Sequence, residues 1–312
     1  MNAAKRNTQT YKESVKARRM HRKFHTILRE NAKSLAIVSE GTQMIALQPA
    51  GERPPFFMVD SFPYFIDVVQ LIGADQPILS LIGYEETEDE GYTIADEAEA
   101  HINTILAQQP HAPYMLGGCS ASGIVAYEIA QRLRAQGREV GLLVLFDTPN
   151  PYFMREYSAF WMSVSSYRSD LSNLRWSHVP GWTLGKLHGM KHGKFRWLTG
   201  TSVGADQTRR LMNRLRSSTI RIAAARKYRP GPYLGRVLLV KRDRNLAGRY
   251  RDPNFGWGGL VHNEIEICRV TAIDHLEIFK PEPDRVLVAQ TLRRSIDEAV
   301  GKSFGYVSSS VD

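Results

Sequence analysis

One turn constrains this chain more than any other feature. It is Gly118-Cys119-Ser120-Ala121-Ser122-Gly123, set between two apolar runs of different kinds. The run before it, Pro113-Tyr114-Met115-Leu116-Gly117-Gly118, is short and unbroken, as a buried strand requires. The run after it starts at about Ala121 and reads Ile124-Val125-Ala126-Tyr127-Glu128-Ile129-Ala130, a helix. A strand that turns so tightly into a helix lifts the apex residue clear of the sheet, above a helix N-terminus. Bulky side chains two positions to either side of that apex would clash, and Gly118 and Ser122 are both small. By average residue usage Gly-x-Ser-x-[Gly/Ser] arises by accident ~0.2 times in a chain this long. The motif alone is weak; its flanks give it meaning.

The same rhythm runs through much of the chain. Pro55–Asp60 and Pro77–Ile82 read as buried strands, and a helix follows from about Thr93 to Gln108. The elbow strand and a helix to about Gln136 come next, then a strand over Gly141–Asp147. Alternation of this kind predicts an α/β fold, a mostly parallel central sheet with helices on both faces. The rhythm stops at Pro149. Residues 151–230 are rich in Trp, Phe and Tyr among basic side chains and read as a helical lid insertion. Strands resume at Arg236–Val240 and Ile265–Val270, and a helix over about Asp284–Val300 closes the pattern.

A length of 312 residues fits one sizeable α/β core. The expected organisation is a basic helical extension over residues 1–36 and one α/β domain over 37–312. Its charge is uneven: residues 1–33 carry a net +8 and residues 151–230 a net +12, leaving −11 for the rest of a chain whose total is +9. Basic surfaces attract phosphates, anionic lipid, nucleic acid or acidic proteins, and a solvated helical face explains them as simply. No nucleic-acid recognition motif accompanies the charge, so no nucleic-acid partner is expected. No stretch approaches the length of apolar chain that spans a bilayer. The basic N-terminus lacks the apolar core of a secretory signal. Two cysteines, Cys119 and Cys268, give neither a disulfide framework nor a metal-binding spacing, so the expected home is a reducing cytoplasm. The oligomeric state is not legible.

A serine nucleophile needs a base to take its proton, a carboxylate to hold that base, and two N–H donors for the oxyanion. After Ser120, Asp147 and Asp243 stand at strand ends, and His275 follows the final strand in Ile273-Asp274-His275-Leu276. This order of Ser, acid and His, with these placements, resembles that of α/β-hydrolase folds. The acid has two candidates. Asp243 lies in Lys241-Arg242-Asp243-Arg244, which reads equally well as a solvated charge cluster. Asp147 ends an apolar strand, where a carboxylate is costly unless it is used or paired, and is favoured. A metal reading of His188 and His192 lacks an acidic partner. Cys119 as nucleophile would shift the elbow out of register with its helix.

With these residues in view, the chain resembles the thioesterase family that ends non-ribosomal peptide and polyketide assembly lines, over roughly residues 43–300. Family members carry Pro-Tyr-x-Leu-Gly-Gly-Trp-Ser-x-Gly-Gly running into Ala-[Tyr/Phe]-Glu-x-Ala. Here these read Pro113 through Gly123, then Ala126-Tyr127-Glu128-Ile129-Ala130. The family's Leu-x-Asp-[Ser/Thr] is matched by Leu145-Phe146-Asp147-Thr148, and its Tyr-Arg-Pro-x-Pro-Tyr-x-Gly by Tyr228 through Gly235. Its Gly-x-His survives as Ile273-Asp274-His275, with Pro281 downstream. The resemblance implies a catalytic triad of Ser120, Asp147 and His275, with Asp243 as the alternative acid. It implies oxyanion donors at the N–H groups of Ala121 and Phe62. It further implies an acyl-enzyme, and a substrate thioester on the phosphopantetheine arm of an acyl or peptidyl carrier protein, or on CoA. No metal or organic cofactor is expected beyond that arm. Product release would be by hydrolysis or cyclisation; transfer to another acceptor, ester hydrolysis, or carrier binding without catalysis are the alternatives. Two departures stand out: Cys119 and Ser122 replace the family's usual Trp or Tyr and its next Gly, and the strand that often ends in His-Pro or Pro-Pro and then glycines instead reads Val59-Asp60-Ser61-Phe62-Pro63-Tyr64.

Overall fold

The apolar runs form the middle of a twisted sheet because each is buried on both faces. In the computed structural model, described over residues 36–37, 44–60, 65–82, 91–152, 221–243, 252–263, 265–272 and 278–305, they become β3 (Phe56–Val59), β4 (Ile78–Leu81), β5 (Tyr114–Cys119), β6 (Val140–Phe146) and β7 (Val237–Arg242). Two strands, β1 (Ala36–Ile37) and β2 (Met44–Gln48), precede them, and β8 (Ile265–Val270) lies at the far edge. The order among the described residues is β1-β2-β4-β3-β5-β6-β7-β8. Pairing is parallel from β4 to β8, and antiparallel where β2 meets β1 and β4.

Among the described residues, the helices α1 (Phe65–Ile72), α2 (Ile94–Gln108), α3 (Ala121–Ala135) and α4 (Glu282–Gly305) flank this sheet. Alternate strand residues supply the two cores. Phe57, Val59, Leu143 and Leu145 pack with α2 and α3 residues on one face. Phe56, Met58, Val144 and Phe146 pack with α1 and α4 residues on the other. Burying a side chain of this size contributes about 1.5–3 kcal/mol each, so a sheet covered on both faces is the stable solution for such runs. The sheet and helices form one compact unit, assembled from chain on both sides of residues 156–213.

Local chemistry sets the helix ends. Thr93 caps α2 with a reciprocal box: its Oγ1 accepts from the Asp96 N–H at 3.2 Å, and Asp96 accepts from the Thr93 N–H at 3.0 Å. The predicted strands and helices fall within a residue or two of those observed, except that α4 runs five residues past the expected end at Val300; α1 and the β1–β2 edge had no counterpart in the sequence reading. The predicted helix over residues 1–36 lies almost wholly outside the described residues. So does residue range 153–220, the bulk of the predicted insertion at about 151–230. After that range, residues 221–227 are helical and lead into the Tyr228–Gly235 run.

Candidate active site

Ser120 occupies the turn between β5 and α3 with φ 58° and ψ −124°. A residue with a Cβ holds such a conformation at a cost on the order of 1–3 kcal/mol, and only where its surroundings impose it. Here its N–H donates to the Phe146 carbonyl at 3.0 Å, and its carbonyl accepts from the Gly123 N–H at 3.1 Å. Close approach of strand and helix does the rest. A Cβ on Gly118 would run into the Ser122 carbonyl, and one on Gly123 into Thr148 Oγ1. Ser120 is the N-cap of α3 without a side-chain capping bond. Ala121 opens the helix, so its N–H belongs to the first turn, whose amides lack helical partners. That end also carries the positive pole of the helix dipole.

Asp147 follows β6 and is 1% exposed, with φ 44°. Its N–H donates to the Val240 carbonyl at 2.7 Å. Its carboxylate accepts from Arg242 Nε at 2.5 Å and from the Arg242 backbone N–H at 3.4 Å. The cost of a carboxylate at the end of an apolar strand is thus offset by a charged hydrogen bond. Register places Asp147 beside Ser120, because Cys119 pairs with Phe146 in the β5–β6 ladder. Asp243 has a different setting: its side chain is 42% exposed and is held by Arg269 Nη1 at 2.8 Å. Of the two candidate acids, the one next to the elbow is Asp147. His275 and Phe62 lie outside the described residues.

Cys119 points into the core beside Met115 and Phe146. Burial pushes its thiol well above the ordinary value, and the nearby Asp147 charge adds to the effect. A thiol held protonated is a poor nucleophile. Among the described residues, no cluster of three or more His, Cys, Asp or Glu is placed to hold a metal.

A polar cluster that the sequence reading missed lies against the elbow. Arg221, 5% exposed, sends Nε to Glu97 Oε2 at 2.8 Å and Nη2 to Glu97 Oε1 at 2.5 Å. Its Nη1 donates to Asp60 Oδ2 and lies 3.3 Å from Ser122 Oγ. Ser122 Oγ in turn donates to Asp60 Oδ2 at 3.4 Å. Tyr92 donates its hydroxyl to Glu97, and His101 Nε2 stands 3.4 Å from the same carboxylate. Burial pushes the Glu97 carboxyl up, but the Arg221 charge and its other donors outweigh that and hold it at about 2. The two departures noted in the sequence, Asp60 and Ser122, are therefore partners. The faint signal available was Asp60 at the end of an apolar strand and Arg221 between Ile220 and Ile222; Glu97 lies in an acidic run with Asp96 and Glu99 and gave none.

The rest of α3 is clamped by aromatics. Tyr127 packs 4.5 Å from the Trp257 ring and 5.5 Å from Tyr233, and its hydroxyl donates to the Gly231 carbonyl at 2.8 Å. Tyr228 donates to Glu128, and Trp257 Nε1 to the Thr148 carbonyl at 2.8 Å. Two motifs a hundred residues apart, Ala126–Ala130 and Tyr228–Gly235, are thus the two sides of one contact. An open cavity of about 530 Å³ lined by Gln131, Arg132, Arg134 and Leu234 lies at the far end of α3 from Ser120.

This fold recurs among solved proteins. A four-domain nonribosomal peptide synthetase bound to AMP and glycine matches at a TM-score of 0.60 and 20% identity, over 81% of this chain and 20% of that one. The NocB thioesterase domain, in covalent complex with a fluorophosphonate nocardicin G analogue, matches at 0.54 and 20%, over 81% and 99%. At such identities the likeness defines the fold, which is that of the α/β-hydrolases.

The sequence likeness is narrower and more specific. Residues 71–160, which hold both Ser120 and Asp147, match the family model of the thioesterase domain. The chain is 46% identical over 80 residues to enterobactin synthase component F of Escherichia coli, covering 24% of this chain and 6% of the relative. It is 30% identical over 146 residues to a nonribosomal peptide synthetase of Aspergillus terreus, covering 44% and 16%. A non-reducing polyketide synthase of Pseudevernia furfuracea matches at 33% over 114 residues, covering 33% and 5%. The chain spans a small part of the length of each of these curated relatives. The resemblance read from the motifs is borne out.

Proposed function

We propose that this chain is a serine thioesterase. It releases an acyl, peptidyl or polyketide chain from a phosphopantetheine thioester on a carrier protein, or from CoA, through an acyl-enzyme. The observation that carries the reading is the forced conformation of Ser120 at the N-terminus of α3, with buried Asp147 in the adjoining strand end. The thioesterase match over residues 71–160 supports it, as do synthetase and synthase relatives.

In this mechanism Ser120 Oγ attacks the thioester carbonyl while His275 takes its proton and Asp147 fixes the imidazole. The N–H groups of Ala121 and Phe62 hold the oxyanion, assisted by the positive pole of α3. The tetrahedral intermediate collapses by breaking the C–S bond, and the imidazolium returns the proton to the departing thiolate. Water, or a nucleophile within the acyl chain, then attacks the ester and frees Ser120. The basic segments at residues 1–33 and 151–230 suit a phosphate-bearing arm and an acidic carrier surface. A reducing cytoplasm is the compartment proposed. No metal or organic cofactor enters the proposed cycle.

The test is intact-protein mass spectrometry after exposure to a fluorophosphonate, with Ser120→Ala as control. One adduct on the wild type and none on the variant is expected. No adduct on either, from this probe or from a small acyl thioester, would overturn the proposal.

A further inference from the structure

Arg221 ties together three parts of the chain that meet at the elbow. They are the end of β3 at Asp60, the first turn of α3 at Ser122, and the core-facing side of α2 at Glu97. Asp60 has φ 47°, and its N–H donates to the Leu81 carbonyl at 2.9 Å, so its backbone is fixed. Register sets it beside the elbow, since Val59 pairs with Gly118 two residues before Ser120. A carboxylate there is a liability for the proposed chemistry. Negative charge that develops on a tetrahedral intermediate at Ser120 lies over the same helix turn that carries Ser122.

We infer that Arg221 is a positioning residue for the Ser120 reaction: its guanidinium cancels the Asp60 carboxylate at the elbow and anchors Ser122, so that the α3 N-terminus faces the oxyanion without a competing anion. The inference rests on the serine reading above. The planar fork suits the task, because one guanidinium serves Glu97 through two nitrogens and Asp60 and Ser122 through the third. Glu97 holds the guanidinium in place from beneath. A lone Asp60–Arg221 contact would have no such support. The departure from the family pattern at Asp60 and the Ser122 substitution for glycine thereby share one partner side chain.

The experiment measures the rate of fluorophosphonate labelling of the full-length protein, with circular dichroism as a check on folding. At an effective dielectric of about 20, an uncancelled charge about 8 Å from the developing oxyanion is worth about thirtyfold in rate. Arg221→Gln is expected to be labelled about thirtyfold more slowly than the wild type. Adding Asp60→Asn to it is expected to recover most of the loss, since the carboxylate at the elbow is then gone, while Glu97 on α2 stays the same in both variants. A merely structural role for Arg221 would not be rescued by removing the charge of its partner. Wild-type labelling of the folded Arg221→Gln protein, or no recovery in the double variant, would overturn the inference. If Arg221→Gln does not fold, Arg221→Lys decides: it keeps the charge, so slowing of less than about tenfold supports the inference and any greater slowing overturns it. A wild-type protein that takes no label would instead overturn the serine reading, and this inference with it.

Discussion

The backbone N–H of Ser120 donates to the carbonyl of Phe146, 3.0 Å away, which fixes the turn after β5 against the end of β6. Asp147 is the next residue, so serine and carboxylate are set side by side by the ladder itself, before any side chain is considered. Both have positive φ, 58° and 44°. Two neighbouring strand ends held in a conformation that costs free energy share one cause: each must turn its side chain out of the sheet at the same edge.

The two carboxylates that the sequence left as candidates are separated by burial, and their variants will separate in rate. Asp147→Asn is expected to lower kcat about 10³- to 10⁴-fold, as loss of the orienting acid does in serine hydrolases. Asp243→Asn removes an exposed pair with Arg269 and is expected to change kcat less than threefold, in keeping with about 0–1 kcal/mol for such contacts. Steady-state kinetics on an acyl thioester compare them directly. Equal losses would return Asp243 to candidacy.

Arg242 adds a charge beside the acid. Its Nε donates to Asp147 at 2.5 Å, so the guanidinium stands close to any imidazole that this carboxylate holds. A cation disfavours protonation of a neighbouring base. Arg242→Met is therefore expected to move the acid limb of the kcat/KM profile upward by about half a pH unit to one unit. A limb that stays put, or moves down, would show that the guanidinium does not sense the base.

Glu97 links the same region to acid stability. Its carboxyl lies at about 2 rather than 4.5, despite burial, so its contribution is fully present above pH 4.5 and disappears as pH falls toward 2. On a buried group that difference amounts to about 3 kcal/mol. Glu97→Gln is expected to lower Tm at neutral pH, and to lose less Tm than the wild type between pH 5 and pH 2.5. Differential scanning calorimetry across that window reads both. Parallel curves would mean that the carboxylate is not the group titrating there.

Gly118 and Gly123 allow strand and helix to approach each other. A methyl group on Gly118 meets the Ser122 carbonyl, a backbone atom that cannot turn aside. Gly118→Ala is expected to cost about 1–3 kcal/mol in urea unfolding and to suppress labelling of Ser120 at least about tenfold, because the elbow must open to admit the methyl. Retention of the full labelling rate would show that the turn tolerates a wider approach.

How much of this was legible in the sequence depends on the range of the forces involved. Strands β3 to β7 were readable because burial on both faces forces unbroken apolar runs, and α2 because Thr93 and Asp96 announce its start. The elbow was readable for the opposite reason: Gly118, Ser120 and Gly123 are small or polar where neighbours are apolar. Helix α1 escaped because its eight residues, Phe65-Ile66-Asp67-Val68-Val69-Gln70-Leu71-Ile72, form a short and mostly apolar run whose period does not separate helix from strand. The antiparallel edge escaped because the pairing of β2 with β1 and β4 is settled by distant partners. The Arg221 cluster was hidden most deeply. Asp60, Glu97, Ser122 and Arg221 are separated by up to 161 positions, and each alone reads as a surface charge or a small polar substitution.

The fastenings on either side of residues 153–220 have a consequence for the elbow. On one side Asn150 donates to the Phe255 and Gly256 carbonyls at 2.9 Å each. On the other, Tyr127 and Glu128 of α3 hold the run from Tyr228 to Tyr233. Both margins are thus fastened by residues of the scaffold itself, and the fastenings converge on α3 and on the chain just after β6, the two elements that carry Ser120 and Asp147: the elbow is braced from two directions at once.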